Sequence, residues 1–369
     1  MPTDPAWRRW NAEARDIVRR NRSDPLWASR TYAMVSVAQR DILRTSAVGD
    51  PGSALAAAAS ASAAAHVLAR LYPHEVPRVS ARLQAHLEAL AARLDPVERE
   101  RALALGLAAA NRVVDERADD GATTLDVLVP PDRIDAWTSA EHYPPLRPTW
   151  GNVRPFLVTD FASHMPPPPP APVSDEFRKA LDYVRTARGG ASAQADLIAR
   201  RWDDGPGTVT PPGRWNRIAV ELIDARALDE PEATNVLALL NMAMFDAGVL
   251  CWRSKFAYWL QRPPQVDAGI VPTFPLPNFP AYPSGHAAFS GAAAALLAHR
   301  FPEARPQLAQ WAREAAHSRV VSGIHFPFDA QAGLEQGRSI ASVVVARHGQ
   351  NLAPPAAAVP SYSPTEVSP

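Results

Sequence analysis

Apolar positions recur along most of this chain at intervals of three and four residues, the period of a helix with one face turned to a core. From residue 4 to about 45 the stripe runs through Trp10, Ala14, Ile17 and Val18, and Asp50, Pro51 and Gly52 end it. Residues 54–71 are an Ala-rich run closed by Tyr72 and Pro73. Side chains this small let neighbouring helices approach closely, so a buried helix is predicted there. Two further helices are predicted over 77–94 and 95–115, the second opened by an acidic, proline-containing first turn. Between 127 and 172 the period disappears into prolines, tryptophans and short polar clusters, including the proline run 166–170. A loop of that length either separates two helical halves or is an ordered segment that shapes a pocket. Helical signals return at Asp175 and continue, with a turn over 203–212, to about His348. Alternation of strand type is scarce. The expected architecture is therefore a soluble, all-α helical bundle. Its parts are an N-terminal helical half over 1–126, a Pro-rich wrapping loop over 127–174 and a C-terminal half over 175–350. The Pro, Ser and Ala content of 351–369 predicts a disordered tail.

Composition narrows the chemistry. The 38 basic and 38 acidic side chains cancel, which points away from a nucleic-acid partner and from polybasic attachment to a membrane. Any anion site must then be built locally. A single cysteine, Cys251, excludes an internal disulfide and a thiol cluster for metal, and reads as a small buried apolar residue. The N-terminus carries no apolar stretch of the secretory kind, so a cytoplasmic protein is expected, or a secreted one had a signal been removed. The segments nearest to membrane spans are 236–252 and 287–297. The first holds Asn241 and Asp246 and the second is too short, so both are predicted as core helices and no span is expected.

Three clusters carry the candidate chemistry. The first runs from Lys255 to Arg262 and Pro263; a spacing of seven predicts both cations on one face of a helix that also carries Trp252 and Trp259. Lys179 and Lys255 are the two lysines among 38 basic residues, so a lysine here marks a place for a compact point charge. Alone, the cluster also fits a solvated basic face near a helix end. The second is Pro283-Ser284-Gly285-His286 ahead of an apolar run. Ser284 is a predicted N-cap, and free amides at the helix start make an oxyanion cradle beside His286. An ordinary capped helix with an incidental histidine fits equally. The third is Ser318-Arg319 followed by His325 and Asp329. On a helix the last two lie one turn apart, so the carboxylate can fix the imidazole's tautomer. A surface His–Asp pair is the plainer reading.

Together and in this order the clusters resemble the three-part signature of the type 2 phosphatidic acid phosphatase and vanadium-dependent haloperoxidase superfamily. Every signature position is met: Lys255, Arg262, Pro263; Pro283, Ser284, Gly285, His286; Ser318, Arg319, His325, Asp329. The Ala-rich run 54–73, the stretch 150–156 and Trp215-Asn216-Arg217 look like bacterial haloperoxidase relatives as well, so the resemblance covers all but the tail. It implies vanadate as cofactor, or phosphate in the same place. Lys255, Arg262 and Arg319 would neutralise its oxygens, with Ser284 and the Gly285 amide as further donors. His325 would bind vanadium, or attack phosphorus to form a phosphohistidine. His286 would be the acid–base group and Asp329 the orienter of His325. Trp252 and Phe279 match the aromatic pair of the halide pocket in relatives that oxidise chloride; one departure is Gln261, where relatives often carry tryptophan. The reaction so implied is oxidation of bromide or chloride by hydrogen peroxide, with hydrolysis of a phosphomonoester by a soluble acid phosphatase as the alternative. A helical scaffold without catalysis is the third reading. The Ala-rich helix leaves a homo-oligomer open.

Overall fold

A computed structural model describes residues 5–124, 127–139, 143–190 and 193–352. Among them the structure has helices and no strand, with isolated pairings such as Ala136 with Leu260. Where the pattern predicts one helical stretch over 4–45 there are two helices, α1 (Ala6–Arg20) and α2 (Pro25–Leu43). The break is local chemistry. Arg22 takes a positive φ, Asp24 accepts from the Leu26 and Trp27 amides, and Pro25 fixes the first helical position. Then come α3 (Ala54–Leu71), α4 (Val76–Leu90) and α5 (Pro96–Glu116), the last opened by a capping box of Asp95 and Glu98. After the Pro-rich loop follow α6 (Asp175–Gly189), α7 (Ala193–Arg201), α8 (Thr210–Ala225) and α9 (Glu230–Tyr258). The chain ends through α10 (Pro263–Val266), α11 (Gly285–Arg300), α12 (Arg305–Val321) and α13 (Pro327–His348). The tail predicted over 351–369 lies, beyond residue 352, outside the described residues.

The helices group into two units that interleave along the sequence. One takes residues up to 120 with 204–242, the other 121–203 with the residues from 243 onward, and α9 runs from the first into the second. By length and composition α3 and α9 are apolar enough to cross a membrane, yet 67% and 100% of their apolar windows are buried inside the protein, as in a core helix.

In the first unit, α3 lies so close to α5 that a Cβ on Gly106 would come within 2.5 Å of the Ala59 carbonyl. A chain of buried amides ties four helices: Asn11 of α1 donates to Asn216 of α8 (2.7 Å), and Asn216 and Asn241 of α9 exchange hydrogen bonds at 2.6 and 2.9 Å. Asn241 also donates to Ser36 of α2 (3.0 Å).

In the second unit the Pro-rich loop is a strap fastened along α9. The Asp246 carboxylate, fully buried, accepts the Phe156, Leu157 and Val158 amides at 2.7–2.9 Å. Trp252 donates to the Leu146 carbonyl (3.1 Å), Arg253 to Gly151 (2.9 Å) and Tyr258 to Pro166 (2.6 Å). Helices α11 and α13 cross almost backbone to backbone: a Cβ on Gly333 would lie 2.5 Å from the Ser284 carbonyl, and one on Gly337 2.1 Å from that of Ala288. Only glycine permits that approach, and it fixes the start of α11 against the start of α13.

Candidate functional site: a buried cationic cradle

The three sequence clusters meet inside the second unit. Lys255 lies on the last turns of α9, fully buried, and its ammonium donates to the carbonyls of Pro280, Ala281 and Pro283 at 2.6–2.8 Å. Arg262 is not on that helix. α9 ends at Tyr258, Trp259 adopts a positive φ with its amide closing on the Lys255 carbonyl and its own carbonyl accepting from the Trp137 amide, and Leu260 pairs with Ala136, so the predicted shared helical face does not exist. Arg262 instead immediately precedes α10, whose two leading prolines start a new helix. It reaches back into the same hollow, donating to Phe279 O (3.1 Å) and Ile324 O (2.8 Å) with Nη1 3.4 Å from His325 Nε2.

Ser284 is the residue ahead of α11, in extended conformation, with Gly285 and His286 in the first turn. Its amide donates to the Asp329 carbonyl at 2.9 Å, which joins the starts of α11 and α13. Its hydroxyl makes no capping bond. Arg319, near the end of α12, donates to Ser318 Oγ (2.9 Å), Ala199 O (2.7 Å) and Asp203 O (3.4 Å). His286 Nε2 also donates to that Asp203 carbonyl, at 3.1 Å, so one main-chain oxygen holds both groups. Gly323, at φ +80°, turns the chain after α12 and delivers His325 to the hollow just before α13 begins. His325 Nδ1 donates to Asp329 Oδ2 at 2.8 Å, leaving Nε2 towards Arg262.

Two rings line the cations. Trp252 and Phe279 pack with centroids 4.7 Å apart; the Lys255 ammonium sits 5.7 and 5.1 Å from them, and the Arg262 guanidinium 5.0 Å from Phe279. Phe274 lies 5.3 Å from Arg319.

The electrostatics are out of balance by design of the residues themselves. Three cations, Lys255, Arg262 and Arg319, are buried beside one buried carboxylate, Asp329. Burial, then the neighbouring Arg262, pulls the Lys255 ammonium well below its usual value, while burial pushes the Asp329 carboxyl up. Burial, and then Arg262, Lys255, His286 and Arg319 in turn, hold His325 far below 6.5, which favours the neutral ring with the Nε2 lone pair facing Arg262. Three polar atoms of the site residues are buried with no hydrogen-bond partner: the donors Arg262 Nη2 and Ser284 Oγ, and the acceptor Asp329 Oδ1. A surplus of positive charge with unused donors is what a tetrahedral oxyanion of charge two or three would complete. The donor set fits vanadate or phosphate. It does not resemble a cation site, and among the described residues no cluster of three His, Cys, Asp or Glu forms one.

Sequence reasoning missed Asp203, whose contribution is a main-chain carbonyl and so has no residue signature, and Phe274. It noted Asp246 only as a blemish in an apolar run. A lone carboxylate in the middle of a core helix is itself a signal that something specific accepts its charge.

Comparison with known proteins agrees with this geometry. The model of the PAP2 superfamily matches residues 235–352. The vanadium chloroperoxidase of Curvularia inaequalis is 30% identical over a match covering 32% of this chain and 26% of that protein, so the similarity spans about a quarter of the relative's length. Among solved structures, the first bacterial vanadium-dependent iodoperoxidase superposes with a TM-score of 0.82 at 25% identity, covering 94% of this chain and 97% of that one. A bacterial vanadium-dependent chloroperoxidase shares the fold at 14% identity, with TM-scores of 0.71 and 0.69 for its apo and holo forms, each covering 89% of this chain and 93% and 92% of theirs.

Proposed function

We propose that this chain, which belongs to the superfamily uniting PAP2 phosphatases with vanadium-dependent haloperoxidases, binds vanadate in the cradle described above and oxidises a halide with hydrogen peroxide. The observation that carries the reading is the pair of buried, unpartnered donors, Ser284 Oγ and Arg262 Nη2, among three cations that a single carboxylate cannot balance.

Each side chain then has a task that its own contacts favour. Lys255, Arg262 and Arg319 hold the oxyanion by charge, and the unpartnered donors supply hydrogen bonds to it. Asp329 keeps the Nδ1 hydrogen on His325, so Nε2 is the atom that would hold vanadium. His286, its Nε2–H donated to the Asp203 carbonyl, is the group that would take up and return a proton. Trp252 and Phe279 form an apolar wall that strips water from an approaching halide. Bound vanadate supplies the chemistry of activating hydrogen peroxide towards attack by the halide. Iodide is the halide we favour, because it is the easiest to oxidise and because the similarity to the iodoperoxidase covers nearly the whole of both chains.

The test is purified protein loaded with orthovanadate, given hydrogen peroxide and iodide, bromide or chloride in turn, with a β-diketone as halogen acceptor. Vanadate-dependent halogenation supports the reading. No turnover with any halide, together with hydrolysis of an aryl phosphate that vanadate inhibits, overturns it in favour of a phosphatase using His325 as nucleophile.

A further inference from the structure

Away from the cradle, on the surface of the second unit, α11, α12 and α13 leave between them a hollow of about 520 Å³. Its lining is dominated by alanine, six residues including Ala295, Ala298 and Ala309. The small side chains are what open the space; leucine or phenylalanine at the same positions would fill it. Three arginines, Arg305, Arg313 and Arg338, stand at its edge, all exposed. No aspartate or glutamate lines it. Among the described residues none of the three makes a hydrogen bond or ion pair, whereas Arg188 of α6 and Arg201 of α7, helices packed on α12, are each matched to a carboxylate.

From this arrangement we infer a binding site for a small anionic amphiphile, a medium-chain carboxylate or a compound of the same kind. The apolar floor removes a hydrocarbon tail from water. The arginine edge offers planar, bidentate partners for an anionic head. The volume falls inside the roughly 300–1,000 Å³ of ordinary small-molecule sites. On α11 the lining begins at Gly291 and ends at His299, so the hollow lies beyond the helix start that carries His286. The site is accordingly independent of the oxyanion and of the proposed reaction.

Calorimetric titration of the full chain with decanoate tests this. Decanoate is expected to bind, acetate and decyltrimethylammonium to bind far more weakly, and saturating vanadate to leave the decanoate titration unchanged. The triple substitution Arg305→Ala, Arg313→Ala, Arg338→Ala, all at exposed positions, is expected to weaken decanoate roughly tenfold or more, the scale of losing charge-assisted contacts. Ala295→Phe, which fills the hollow without touching a charge, is expected to do the same. The inference falls if decanoate does not bind, if the cationic amphiphile binds equally, if vanadate displaces decanoate, or if binding survives both variants.

Discussion

Each unit of the molecule holds a buried polar network, and one network is closed where the other is open. In the first, Asn11, Asn216, Asn241 and Ser36 bond to one another across four helices, and Arg30 and Arg117 share the Asp120 carboxylate at 3.1 and 2.9 Å. Within these two networks donors meet acceptors and charges meet a counter-charge, while the unit's other buried atoms without a partner, Trp10 Nε1, His86 Nδ1, Thr210 Oγ1, Arg217 Nε and Glu230 Oε1, lie on α1, α4, α8 and α9. In the second, the cradle's cations outnumber its one carboxylate, and two of its donors, Arg262 Nη2 and Ser284 Oγ, face nothing. A closed network rigidifies the helices that contribute to it, while an open one keeps its desolvation cost until a guest arrives. The difference teaches where to look for function: where unpartnered donors gather beside a surplus of buried charge.

Substitutions break this comparison from either side. The largest expected effect is that of Arg262→Met, which keeps length but removes a cation and an unpartnered donor. Vanadate affinity should fall by about 10²–10³-fold, the scale of losing a preorganised oxyanion donor. Equilibrium dialysis measures it. Asn241→Ala should do the reverse, leaving vanadate affinity intact while costing about 3 kcal/mol of stability, because Asn216 and Ser36 lose buried partners. Denaturant unfolding checks that figure. Ser284→Ala sharpens the contrast within the cradle. Its hydroxyl has no partner to lose, so unliganded stability should not drop, while vanadate affinity should fall roughly tenfold.

The smallest effect is a pH slope in the first unit. His86 is buried and held down to about 4 from 6.5, chiefly by burial and then by Arg9. Its folded value lies below its unfolded one, so between those values the unfolded chain binds a proton that the native state does not. Stability from this group is therefore complete above pH 6.5 and is lost as pH falls towards 4, at about 1.4 kcal/mol per pH unit. His86→Leu should flatten that limb of the stability curve by about that slope.

Much of the cradle was legible because its residues are charged and spaced in order. Lys255, His286, Arg319, His325 and Asp329 could be named from the chain, and all are found around one hollow. What could not be read is how Arg262 gets there. Spacing alone puts it on α9, and the positive φ at Trp259 that ends the helix follows from the pairing of Leu260 with a residue far back in the strap. Asp203 escaped for a related reason, since it acts through its main chain. The α11–α13 crossing left a trace in the Gly333 and Gly337 spacing, but which carbonyls they meet depends on tertiary packing. Helix type was written in local periodicity; helix ends and neighbours were decided by contacts between distant segments.

The central claim is that the second unit's buried cations form one unfinished anion site. Thermal unfolding with and without orthovanadate, on the wild-type chain and on His325→Ala, tests it most directly. The expected result is a midpoint that climbs with the logarithm of vanadate concentration in the wild type and a much smaller rise in the variant. A midpoint indifferent to vanadate, or one that rises equally in both proteins, would contradict it.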